Sequence, residues 1–109
     1  MLLEFFNEKI RNYITHNLDL ENQFKFEKFK VGRSNITFKI FDDMHSYVLR
    51  RPPFGDKLES AHNMQREYRI ISELSKNNIR VPKPILLCTD RTISEDDFYI
   101  MEYLSLIHI

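Results

Sequence analysis

A carboxylate stands on the apolar face of the segment from Ser60 to Lys76. Met64, Tyr68, Ile71 and Leu74 recur there at the 3.6-residue period of an α-helix, and Glu67 falls between Ile71 and Leu74. A helix that buries this face carries a negative charge into its interface, and breaking a buried ion pair costs about 3–5 kcal/mol. The chain must therefore fold so that a cation meets the helix from the surface on which it packs. Arg50 is the candidate. It ends the apolar run Tyr47-Val48-Leu49-Arg50, which reads as a strand, and alternation puts Arg50 on the same sheet face as Val48.

Before that strand the hydrophobic period is two. Phe24 and Phe26 alternate with Lys25 and Glu27, and Ile36, Phe38 and Ile40 alternate with Thr37 and Lys39 across the turn Gly32-Arg33-Ser34-Asn35. Asp42-Asp43-Met44-His45 makes a second polar turn, and Pro52-Pro53 ends the strand Ser46 to Arg50 because proline cannot donate to a ladder. Ser60 is an expected helix N-cap. Ile85 to Thr89 and Phe98 to Leu104 read as fourth and fifth strands joined by the polar turn Asp90 to Asp97. Leu2, Leu3, Phe5, Phe6, Ile10, Tyr13, Ile14 and Leu18 recur at helical spacing at the N-terminus. The fold class is α+β: a five-stranded antiparallel sheet with a helix between strands 3 and 4 and an N-terminal helix.

At 109 residues and 42% hydrophobic, the sequence supports one small domain with a core. Sixteen basic residues balance sixteen acidic ones, which argues against nucleic-acid and anionic-membrane partners; a nucleic-acid-binding sheet surface built on Phe24, Phe26 and Phe38 is the weakest reading. Cys88 has no second thiol, and His16, His45, His62 and His108 lack metal-ligand spacing, so neither a disulfide nor a metal site is expected. No apolar run reaches the roughly 18 residues of a membrane span, and Glu4, Glu8 and Lys9 interrupt the start, so a cytoplasmic location is expected. Arg51, Asp42-Asp43 and Asp96-Asp97 read as solvated strand-end and turn charges.

Gly32-Arg33-Ser34-Asn35 is either a plain hairpin turn or a loop whose backbone approaches a phosphate, with Gly32 allowing the approach and Ser34 donating to it. The strand Phe98 to Leu104 is either simply buried or offers backbone carbonyl and amide groups near Glu102 to a flat heterocycle.

The order of glycine turn, strand-borne cation and helix-borne acid resembles a kinase. Gly32-Arg33-Ser34-Asn35, Tyr47-Val48-Leu49-Arg50-Arg51-Pro52-Pro53, Ser60-Ala61-His62, Arg66-Glu67-Tyr68-Arg69, Val81-Pro82-Lys83-Pro84 and Phe98-Tyr99-Ile100-Met101-Glu102-Tyr103 resemble the aminoglycoside phosphotransferase and choline kinase-like family, most of all the branch fused to acyl-CoA dehydrogenases. The resemblance implies a protein-kinase-like N-lobe over residues 1–104 that binds ATP with Mg2+. Gly32, Arg33, Ser34 and Asn35 would form the phosphate loop, Arg50 would hold the α- and β-phosphates, and Glu67 would orient Arg50. Val48 and Met101 would line the adenine pocket, with Glu102 and Leu104 presenting backbone groups to the base. Arg50 stands where such kinases usually carry lysine, and Val31 where the family usually shows a second glycine. The catalytic and metal-binding aspartates of the family lie on a second lobe beyond the hinge, so the fragment alone is expected to be inactive, and residues 105–109 are expected to lie outside the native continuation. The acceptor stays open among aminoglycoside, choline, homoserine and hydroxyacyl thioester hydroxyls. The alternative is a non-catalytic binding or regulatory domain that kept the sheet and lost the chemistry.

Overall fold

Alternating sequence becomes a meander. β1 (Lys25–Lys28), β2 (Ile36–Phe41) and β3 (Ser46–Arg51) pair antiparallel in sequence order, with Phe38 opposite Leu49 and Thr37 opposite Arg50. The computed structural model describes residues 5–29, 36–53 and 58–104, apart from the side chains of residues 58–62. The loop Gly32-Arg33-Ser34-Asn35 therefore lies outside the described residues. β4 (Pro84–Cys88) takes the far edge and β5 (Phe98–Glu102) inserts between it and β3, giving the order β1-β2-β3-β5-β4, antiparallel throughout. The expected five-stranded sheet is thus observed, with its fourth and fifth strands ending one and two residues earlier than the hydrophobic pattern predicts.

Two helices accompany the sheet. α1 (Glu8–Asn17) begins at Asn7, whose side-chain oxygen accepts from the Ile10 amide at 3.0 Å and so caps the helix, leaving Phe5 and Phe6 to pack ahead of the cap. α2 (Leu58–Lys76) starts two residues before Ser60, which is therefore inside the first turn and not the N-cap. Its far end is a Schellman motif: Asn78 takes φ 61°, Ile79 N–H reaches Leu74 C=O at 3.0 Å, and Asn78 N–H reaches Ser75 C=O at 3.3 Å. Asparagine tolerates this left-handed conformation better than most residues. Among the described residues no helix is long and apolar enough to cross a membrane.

Strand alternation divides the core between the two faces of the sheet. Phe38, Ile40, Leu49, Phe98, Ile100 and Cys88 pack with Phe5, Phe6, Ile10, Ile14 and Phe24 on one side. Val48, Tyr99 and Met101 pack with Met64 of α2 on the other, with Tyr68 and Ile71 partly buried against them. Burial of Phe24 and Phe38 removes the idea of an exposed aromatic sheet for nucleic acid, since these rings are core.

Three charges expected in solvent are buried instead. Arg51 points to the face opposite Arg50, where its Nη2 meets Asp96 Oδ2 at 3.0 Å, its Nε donates to Pro52 C=O at 2.8 Å, and its guanidinium lies 4.8 Å from the Phe5 ring centroid. Burial lowers the Arg51 pKa, and the charge of Asp96 opposes that shift. Asp97 is buried just before β5; Gln65 of α2 donates to its Oδ2 at 3.0 Å, and Arg91 makes an ion-pair contact at 2.6 Å with its Oδ1. A polar run between strands has the composition of a turn exposed to water, but these two acids face inward because each has a partner there.

Asp96→Ala, which removes the carboxylate facing buried Arg51, is expected to destabilise the fold by about 3 kcal/mol, read as a shift in the urea midpoint. Asp42 gives a pH-dependent counterpart. Its carboxylate accepts from the amides of Glu21, Met44 and His45 at 2.8–2.9 Å, and these bonds hold its pKa below the ordinary carboxylate value. A depressed folded pKa contributes stability that is complete above about pH 4 and is lost as pH falls through the folded value. Asp42→Ala is therefore expected to lower stability at pH 7, with the gap to the parent closing as the pH drops below 4; an equal gap at pH 7 and pH 2 would contradict this.

Candidate functional site

β3 ends at the middle of the sheet, and that position decides what Arg50 can touch. Thr37 of β2 lies opposite it on one side and Tyr99 of β5 on the other, and all three side chains share the face covered by α2. Four residues before Ile71 on α2, Glu67 overhangs this row. Arg50 Nε donates to Glu67 Oε1 at 2.9 Å and Nη2 to Oε2 at 3.3 Å, a two-point fork, while Nη1 donates to Thr37 Oγ1 at 2.9 Å. The Tyr99 hydroxyl donates to Glu67 Oε1 at 2.9 Å.

The charge on the apolar helix face has thus found the partner that the sequence demanded. It is less deeply buried than its place on the seam implies: the side chains of Arg50 and Glu67 keep 20% and 29% of their surface exposed. Leu74, the far end of the same seam, is exposed as well. The pair sits at the rim of the interface, with solvent on one edge and an apolar cavity of about 320 Å³ on the other, walled by Ile70, Ile71, Val81, Pro82, Tyr99 and Met101.

Tyr99 remains a donor. Burial and the Glu67 charge both push its hydroxyl pKa up, against a smaller opposing effect of Arg50. Of the five N–H donors of the Arg50 guanidinium, three are engaged by Glu67 and Thr37; the group also lies against the Tyr99 hydroxyl, and a fifth of the side chain's surface stays open.

The other expected site residues divide into two groups. Val48 and Met101 lie on the Arg50 face, packed at 1% and 4% exposure with Phe29 and Tyr103 against them. Glu102 and Leu104 follow at the end of β5. There the Glu102 N–H already donates to Lys83 C=O at 2.9 Å, and Glu102 Oε1 accepts from the Lys83 amide at 3.1 Å. Thr37 and Tyr99 carry no mark in the sequence. Their alternation puts them on the right face, but only the strand register sets them beside Arg50. Among the described residues, no three acidic, histidine or cysteine side chains are grouped so as to hold a metal.

A five-stranded antiparallel sheet whose third strand carries a cation paired to an acid on the following helix is a kinase-like N-terminal lobe. The chain belongs to the phosphotransferase enzyme family, whose model matches residues 25–109. It superposes with a TM-score of 0.70 on the crystal structure of an inferred aminoglycoside phosphotransferase from Ralstonia eutropha JMP134, at 30% identity over 90% of this chain and 27% of that one. It is 32% identical over 105 residues to acyl-CoA dehydrogenase family member 11 of Pongo abelii, covering 92% of this chain and 13% of that protein. It is 41% identical over 76 residues to acyl-CoA dehydrogenase family member 10 of Mus musculus, covering 70% of this chain and 7% of the relative. The chain therefore spans only a small part of the length of these relatives.

Glu67→Ala removes the acceptor from both Arg50 and Tyr99 at a partly exposed site, so a loss of about 1–2 kcal/mol in thermal or urea stability is expected. Unchanged stability would show that the pair is only a surface contact.

Proposed function

We propose that residues 1–104 form the nucleotide-binding lobe of a phosphotransferase that carries the γ-phosphoryl group of ATP to a hydroxyl of a small molecule. One observation carries this reading: Arg50 is fixed by Glu67 and Thr37 while a fifth of its side-chain surface stays open, which suits a phosphate oxygen. Family membership and the superposed phosphotransferase support it. A guanidinium anchored on two edges binds phosphate without first being ordered, so little conformational entropy is lost on binding.

In this reading Gly32, Arg33, Ser34 and Asn35 close over the phosphates, and Val48 and Met101 lie against the base. The Glu102 N–H is committed to Lys83, so the base would be met by the Glu102 carbonyl and the Leu104 amide. Mg2+ would arrive on the phosphates and take protein ligands outside the described residues. Charge neutralisation and positioning are what such a lobe contributes to in-line transfer; the base that orients the acceptor hydroxyl belongs to a second lobe.

The test is an NMR titration of the 15N-labelled protein with ATP and Mg2+. Shifts are expected at Val48, Met101 and the Arg50 Nε–H, and Arg50→Ala is expected to weaken binding about tenfold or more, the effect of losing one charge-assisted fork. An absence of shifts at millimolar ATP, or shifts confined to the α1 face, would overturn the proposal.

A further inference from the structure

Thr37, Arg50 and Tyr99 form a row across three neighbouring strands, and Glu67 closes the row from above. The two hydroxyls act on different members of the ion pair. Thr37 accepts from Arg50 Nη1, which limits rotation of the guanidinium about its own long axis. Tyr99, 1% exposed, donates to Glu67 Oε1, the oxygen that also accepts from Arg50 Nε. Its ring is held by packing against Tyr68, centroid to centroid 5.6 Å, so the hydroxyl is delivered from a rigid base.

Without that hydroxyl, Glu67 Oε1 loses one of its donors, and the carboxylate, 29% exposed, is held less firmly in the plane of the Arg50 fork. The fork would loosen, and the plane of the guanidinium would no longer be set. For an ammonium this would matter little, because its donors rotate freely; a guanidinium donates only in its plane.

We infer that Tyr99 is a positioning residue for phosphate binding: it fixes Glu67 so that the free edge of Arg50 faces the nucleotide phosphates, and Thr37 fixes the same plane from the opposite strand. This rests on the reading of Arg50 as the phosphate ligand. The ligand is the phosphate group of the nucleotide and not its base.

Tyr99→Phe keeps the ring and removes the donor. Affinity for ATP with Mg2+ is expected to fall about three- to tenfold, a loss of the size expected when one hydrogen bond to a charged group goes, while affinity for adenosine is unchanged. The Arg50 Nε–H resonance is expected to broaden and exchange faster, and Tyr99→Phe is expected to add nothing in an Arg50→Ala background. Thr37→Val, which keeps the shape of the side chain, is expected to act in the same direction and carries the test should Tyr99→Phe fail to fold. If Arg50→Ala weakens ATP binding and neither hydroxyl variant does, the inference is wrong and the phosphate role of Arg50 stands. If Arg50→Ala itself has no effect, that role falls first. Equal losses for ATP and adenosine would also overturn the inference, since they would report a general disturbance of the lobe.

Discussion

The Arg50–Glu67 ion pair sets how the sheet and α2 meet. The helix could bury Met64, Tyr68 and Ile71 against the sheet at several rotations about its axis, since dispersion and apolar burial are only weakly directional. A two-point fork is directional. It selects the rotation in which Glu67 faces the end of β3, and Gln65, two residues earlier, then reaches Asp97 in front of β5. The helix is thus held to two strands by polar contacts on either side of its apolar stripe.

Adjacent arginines on one strand have opposite fates because the strand alternates. Arg50 faces α2 at the rim and keeps part of its guanidinium open. Arg51 faces the other core, where Asp96 and the Phe5 ring enclose it. Desolvation is costly for both, and the difference lies in what is left after pairing. Arg51, its side chain 4% exposed, joins β3 to the 90s turn and to the segment before α1. Arg50 keeps part of its guanidinium open at the rim, which is the physical condition that the proposed phosphate contact requires.

The α2 stripe, the meander and the Arg50–Glu67 pair are legible in the sequence for one reason: each is a departure from, or an agreement with, a simple period. A carboxylate out of phase with its neighbours is visible without coordinates. Thr37 and Tyr99 obey their strand pattern perfectly, so nothing marks them; their role depends on which residue lies across the ladder, and that is fixed by turn length and by the insertion of β5 beside β3. Asp96, Asp97 and Arg51 mislead for the converse reason. A cluster of charges between strands has the composition of a solvated turn, and only the partners brought from β3 and α2 make burial favourable.

The arginine at position 50 explains why the neighbouring hydroxyls are needed. In an ammonium three donors rotate about one bond, so a single acid is enough to hold such a charge in place. A guanidinium spreads five donors in a plane, so its charge can be in the right place while its donors point the wrong way. Holding that plane takes contacts on more than one edge, and here they come from β2 through Thr37 and from α2 through Glu67, itself steadied from β5 by Tyr99. Two neighbouring strands and a helix therefore converge on one side chain of β3.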